Sequence, residues 1–451
     1  MASITLQQAA QWCGGTVDPK YKDVTFTGAN IDSRKLQPGQ LFVAIKAARD
    51  GHDFVPGALE KGAAAVLCNR VDGDYPAIVV ADTRIALGQI ASGLLKQMNP
   101  KIIGVTGSVG KSTTKEMIAA VLATTYKVSK TPANHNNDLG MPAAVLAMDA
   151  DSQIVVLEMG MSHFGEIEYL SKMAEPDVGV IINIGTMHIE NLGSQEGILQ
   201  AKLEITKGMG ENGKLLLYGD DAYLWGCRND LQIAAEYFGQ INEKCHVRAE
   251  NVRHTPEGIR FTACCREGAF PIFLPLEGQH YVSDALAAVS VGLQFQVSPD
   301  QIRKGLENFQ TMEGRQEIFT HGDCTIIKDC YNAGPESVAA ALQVLGNRPG
   351  RKIAVLGDML ELGSHSAAAH EKAGALAAEK ADILLCYGPE CANMVKGAKS
   401  AGMTDAYHYL DREALAADLI ALVQPSDVLL FKGSRGMKME LVLELFLQRK
   451  R

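Results

Sequence analysis

The chain has 451 residues, with 52 Asp and Glu against 43 Lys and Arg, a net charge of −9 and 47% apolar residues. That length exceeds a single core and predicts about three domains. The acidic balance lacks the basic footprint of a nucleic-acid binder, and no apolar run nears the ~20 residues of a membrane span. Ten cysteines show no C-x-x-C spacing, which predicts free thiols in a reducing compartment rather than a disulfide framework or zinc site. Residues 1–6 lack a basic-then-apolar leader, so a cytoplasmic location is expected. The terminal Arg449-Lys450-Arg451 reads as a solvated end.

From residue 1 to about 84, short helical and strand-like pieces alternate between Gly and Pro punctuation. Residues 41–45 and 77–80 read as buried strands, and 55–62 as a short helix. A helical pattern over 85–98 stops at Pro100. The apolar run 101–105 then feeds Thr106-Gly107-Ser108-Val109-Gly110-Lys111-Ser112-Thr113, and an amphipathic pattern follows over 114–122. Strand, glycine loop and helix are the setting of a phosphate-binding loop. Its glycines admit backbone N–H groups to the phosphates, Lys111 reaches the β/γ oxygens, Ser112 offers a hydroxyl to Mg²⁺, and the helix dipole adds positive potential. The spacing is G-x-x-G-K-S rather than the common G-x-x-x-x-G-K-[ST], so the flanking strand and helix carry much of the assignment.

Continuous apolar runs at 154–157, 178–182 and 215–217 predict parallel strands, with strand–helix alternation continuing to about 312. Glu158 closes the first of these runs and is a candidate Mg²⁺ ligand, because Mg²⁺ prefers hard oxygen donors. The polar loop holding Asn134, Asn136 and Asn137 offers amides to a sugar or peptide, or makes ordinary turns. His188 follows another strand end and is either a ligand or a structural histidine. Lys202 and Glu204 fall on a helical pattern over 197–205, where a lysine is ordinarily a surface cation. Strands at 325–327, 352–356, 383–387 and 428–431, with alanine-rich helices between them, predict a doubly wound third block. The expected class is α/β, in three domains: 1–84, small; 85–312, a P-loop ATPase-type parallel sheet; and 313–451, Rossmann-like.

Taken together, TGSVGKST, LEMG around Glu158, residues 187–190 and AKLEI around Lys202 resemble the ATP-dependent Mur ligases of peptidoglycan synthesis. The resemblance extends to Asp32-Ser33-Arg34 with PGQLFVAIKAARDGHDF, and to GDMLELG at 357–363 and KGSR at 432–435. It covers essentially the whole chain. It implies that UDP-N-acetylmuramoyl-tripeptide is bound by the first domain through Ser33 and Arg34, and joined to D-alanyl-D-alanine through an acyl phosphate. It also implies ATP and two Mg²⁺ ions, one on Ser112 and Glu158 and a second near His188, with Lys202 carbamylated into an anionic oxygen donor. Asp284, Arg315, Asp329 and Tyr331 match nucleotide-binding positions, and Asn332, Lys432, Ser434 and Arg435 substrate-binding ones. Tyr281 and Asp284 stand where the family has two asparagines, and an Asp cannot donate to adenine. A monomer is expected. The alternatives are a Mur ligase adding the third peptide residue, whose usual Asp-Asn-Pro-Arg motif this chain lacks, and a P-loop ATPase switch that makes no bond. Folylpolyglutamate synthetase shares the ATPase core but has no such first domain.

Overall fold

The computed structural model describes residues 1–255 and 257–448; Arg449, Lys450 and Arg451 lie outside the described residues. The chain divides into two compact units. One holds 1–182, 200–247 and 285–306; the other holds 183–199, 248–284 and 307–451.

In the first unit, the strands Ala29–Asn30, Leu41–Val43, Ala65–Cys68 and Ala77–Val79 form a small parallel sheet. Phe42, Val66 and Cys68 on this sheet bury themselves against Val55 and Ala58 of the helix Val55–Glu60. The helix Thr83–Met98 follows. Asp82 caps its first turn by accepting from the Arg84 and Ile85 N–H groups, and Asn99 closes it in the left-handed conformation. Next comes a second parallel sheet in the order Ala234–Gly239, Lys214–Tyr218, Val178–Ile181, Lys101–Thr106, Ile154–Glu158, Val128–Lys130. Lys101–Thr106 lies between strands that come later in the chain on both sides. The carboxyl end of such a switch-point strand opens into the crevice where α/β sheets hold ligands.

The strand–helix alternation expected up to residue 312 fails between 247 and 274. The strands Val247–Thr255, Gly258–Cys265 and Gly268–Leu274 are antiparallel neighbours. Along the middle one, Ile259, Phe261 and Ala263 are buried while Arg260 and Thr262 are not. That period of two is the signature of a half-buried strand.

In the second unit, a six-stranded sheet runs Glu317–His321, Cys324–Asp329, Val428–Lys432, Lys352–Gly357, Ile383–Tyr387, Ala406–Tyr409. It is parallel apart from its antiparallel first strand. Apolar clusters cover both faces, one containing Leu342, Leu356 and Leu384 and the other Val355, Leu385 and Phe431. This is the doubly wound block expected from the sequence. Among the described residues, no helix is long and apolar enough to cross a membrane.

Candidate active site

The helix Lys111–Leu122 begins directly after Gly110, so its first-turn N–H groups lie at the end of the central strand. Lys111 folds back over the loop and donates from Nζ to the carbonyls of Gly107 (2.8 Å) and Ser108 (3.2 Å). Ser112 is buried beneath it, and the buried Thr106 Oγ1 has no hydrogen-bond partner.

One strand away, Glu158 is 2% exposed. Its main-chain N–H donates to Thr131 Oγ1 at 3.0 Å, and its Oε1 accepts from Asn136 Nδ2 at 2.8 Å. Gly160 makes the second bond possible, because a Cβ there would lie 2.9 Å from Asn136 Cγ. Glu158 Oε2 is buried and has no hydrogen-bond partner among the described residues. The nearest cation is Lys115, whose Nζ lies 3.6 Å from Oε2 and 3.2 Å from Glu116 Oε1. Lys115 is completely buried and donates to the Thr131 carbonyl at 2.7 Å. A buried ammonium needs such compensation. The sequence reading missed Lys115, although its place one helical turn after Lys111, on the face that also carries Ile118 and Leu122, was a signal.

Lys202 closes the helix Gln195–Leu203 and is 2% exposed. Burial, and secondarily the Lys111 charge, hold its amine well below the ordinary lysine range. Glu204 has a structural task, accepting from the N–H groups of Gly165 (2.8 Å) and Glu168 (3.2 Å) at the start of the helix Glu166–Ala174. Asn137 Oδ1 accepts from the N–H groups of Leu139 and Gly140 where the helix Gly140–Leu146 begins. Asn134 is exposed on the same loop. In the small sheet domain, Arg34 grips Asp32 through Nε (2.9 Å) and Nη2 (2.8 Å), which lowers the Asp32 carboxyl to about 2. Ser33 presents its carbonyl to Lys61 Nζ at 3.1 Å.

In the second unit, Asp329 ends its strand 2.6 Å from the buried Lys432 Nζ, which also donates to the Asn332 carbonyl at 2.9 Å. The Arg315 guanidinium lies 4.0 Å from the centre of the Tyr331 ring. Asp284 and Tyr281 are buried on the helix His280–Gln294, and burial pushes the Tyr281 phenol upward. Burial also lowers His280, to about 4. Ser434 accepts from the Leu360 N–H at 2.9 Å and donates to the Ala333 carbonyl at 3.1 Å, so it staples two loops. Arg435 is exposed and paired with Glu440 at 3.0 Å. His188, at a left-handed φ of 63°, has its Nδ1 2.6 Å from Glu361 Oε2.

A buried triad of Asp358, His370 and Cys391 has the composition of a metal site, but its histidine and carboxylate ligand atoms each already accept a hydrogen bond. His370 Nε2 accepts from the Met359 N–H at 3.0 Å, and the two Asp358 oxygens accept from the Glu390 and Cys391 N–H groups. The triad ties a strand end to a helix start.

A glycine loop with its lysine at a switch-point strand, and a buried carboxylate at the neighbouring strand end, define an enzyme that uses a nucleoside triphosphate. The comparisons with known proteins narrow the class. Models of the Mur ligase family match the chain at residues 25–124 (catalytic domain), 105–292 (middle domain) and 314–435 (glutamate ligase domain). The chain is 40% identical to a UDP-N-acetylmuramoyl-tripeptide–D-alanyl-D-alanine ligase of Bacillus subtilis, over 98% of both chains. It is 34% identical to the ligase of that name from Escherichia coli, again over 98% of both. Among solved structures, MurF from Acinetobacter baumannii superposes with a TM-score of 0.92 at 33% identity, over 100% of both chains. MurF ligase from Thermotoga maritima, in complex with ADP, does so with a TM-score of 0.83 at 30% identity, over 94% of this chain and 97% of the other. The chain belongs to the Mur ligase family of ATP-dependent ligases.

Proposed function

We propose that the chain joins D-alanyl-D-alanine to UDP-N-acetylmuramoyl-tripeptide in the cytoplasm, as a monomer, with cleavage of ATP to ADP and phosphate. The observation that carries this is likeness over the full length to ligases of that name, at identities up to 40%. In the first step the tripeptide carboxylate attacks the γ-phosphorus and ADP leaves, giving an acyl phosphate. In the second, the dipeptide amine attacks the acyl carbon, and phosphate departs from the tetrahedral intermediate. Two anions meet in the first step, so the chain must supply positive charge where they approach. Lys111 and the N–H groups at the start of its helix are suited to that task.

The residues present fit a divalent cation. Glu158 Oε2 is a buried carboxylate oxygen without a hydrogen bond among the described residues, and hard oxygen is what Mg²⁺ selects. Ser112 and Glu158 would hold one ion; His188 is assigned to a second, and Lys202, once carbamylated, is assigned as an anionic oxygen donor to Mg²⁺. When bound, such ions screen the phosphate charge. Lys202 supports carbamylation because a buried amine kept short of protons is the nucleophilic form that adds carbon dioxide. Asp284, Arg315, Asp329 and Tyr331 are assigned to the nucleotide; Ser33, Arg34, Asn134, Asn136 and Asn137 to the UDP-tripeptide; and Asn332, Lys432, Ser434 and Arg435 to the dipeptide. For Asn136, Asn137 and Ser434 that role is indirect, through the hydrogen bonds by which they shape Glu158 and the loops. The division at residues 84 and 312 is proposed as the domain plan.

Phosphate release measured with ATP and each acceptor tests the function. Sustained release is expected only when UDP-tripeptide and D-alanyl-D-alanine are both present. Equal release without them would make the chain an ATPase switch.

A further inference from the structure

The segment leading to His188 is held in place by two carboxylates for which the sequence suggested no role. Glu336, in the first turn of the helix Pro335–Gly346, accepts from the Thr186 N–H at 2.7 Å and from Thr186 Oγ1 at 3.0 Å through the same oxygen, Oε1. Glu361 Oε2 lies at ion-pair distance, 2.6 Å, from His188 Nδ1, without the alignment of a hydrogen bond. Between these anchors, Met187 packs so tightly on Gly334 that a side chain there would collide with its sulfur. His188 and Glu361 both sit in the left-handed region, each at a φ of 63°. Non-glycine residues stay there only when their surroundings determine the conformation.

We propose that Glu336 and Glu361 are positioning residues that fix the backbone at Thr186 and the ring of His188. Glu361 acts on the ring by the closeness of its charge to Nδ1 rather than through an aligned hydrogen bond. Glu336 acts on the main chain two residues earlier, because an accepted N–H bond fixes the peptide plane. The inference rests on the proposed ligation only in giving His188 a part in the reaction.

The test compares Glu336→Ala, Glu336→Gln, Glu361→Ala and Glu361→Gln in the full chain. Hydrogen–deuterium exchange over 184–192 is followed without substrates, and kcat and KM for ATP are measured separately. A glutamine at 336 keeps the acceptor oxygen for Thr186, so Glu336→Gln should stay near the parent, whereas Glu361→Gln removes the charge beside His188 and should behave like Glu361→Ala. Both Ala variants should exchange faster in that segment, and kcat should fall by about 10- to 100-fold, as for other partners that orient a functional histidine, with KM for ATP little changed. Parent-like exchange in both Ala variants would overturn the proposal, and so would a Glu336→Gln variant as impaired as Glu336→Ala. Faster exchange with unchanged kcat would uphold the positioning and remove His188 from the reaction, which separates the two failures.

Discussion

At Lys202, burial and the Lys111 charge act in one direction, both favouring the neutral amine. If that amine is carbamylated, the working side chain is an anion. Lys202→Ala is then expected to lose nearly all phosphate release, with part of it restored by added formate or acetate; parent-like activity in the variant would remove Lys202 from the site. Lys111→Ala is expected to lower ligation by about a thousandfold or more, since phosphoryl transfer depends almost entirely on placed charge. Circular dichroism should show an intact fold, because the Lys111 ammonium donates to carbonyls of its own loop. Both lysines could be proposed from the sequence, because the glycine loop is a local pattern and the Lys202 stretch resembles the family. Lys115 and Glu336 could not be: their partners Glu158, Thr131 and Thr186 come from distant parts of the chain, and only folding brings them together.

At the scale of elements, the parallel strands were readable as continuous apolar runs, whereas the antiparallel strands between 247 and 274 were not. There alternation is broken by a register shift between Glu250 and Arg253, which blurs the period of two. The loop staple at Ser434 allows a direct measurement. Ser434→Ala removes a buried hydroxyl and leaves the Leu360 N–H and Ala333 carbonyl short of a partner, so a loss of about 1–3 kcal/mol is expected in urea unfolding. The start of the helix His280–Gln294 gives a pH dependence. His280 titrates near 4 when folded and near 6.5 in an unfolded chain, so the unfolded state binds the proton first. The stability that His280 contributes is therefore complete above about 6.5 and is lost as the pH falls towards about 4. His280→Gln should flatten the Tm profile across that window; an unchanged slope would assign the acid sensitivity to other groups.

For the whole molecule, the assignment of substrates to the two ends of the chain can be separated kinetically. Arg34→Ala is expected mainly to raise KM for UDP-tripeptide, and Arg435→Ala mainly to raise KM for D-alanyl-D-alanine, whose free carboxylate suits an arginine fork. Each arginine already has an acidic neighbour, Asp32 or Glu440, and these surface pairs are weak enough for a substrate anion to compete with them. A rise in the UDP-tripeptide KM alone for Arg435→Ala would refute the C-terminal assignment.

The buried Lys115 has a consequence for the order in which things arrive. Around the phosphate loop, Lys115 and Lys130 stand against Glu116 and Glu158, a sum of zero among these four. The carboxylates there are already answered by lysines, so a dication entering alone would meet balanced charge rather than a bare anionic cradle. On that balance a divalent cation would gain most by travelling in on the nucleotide.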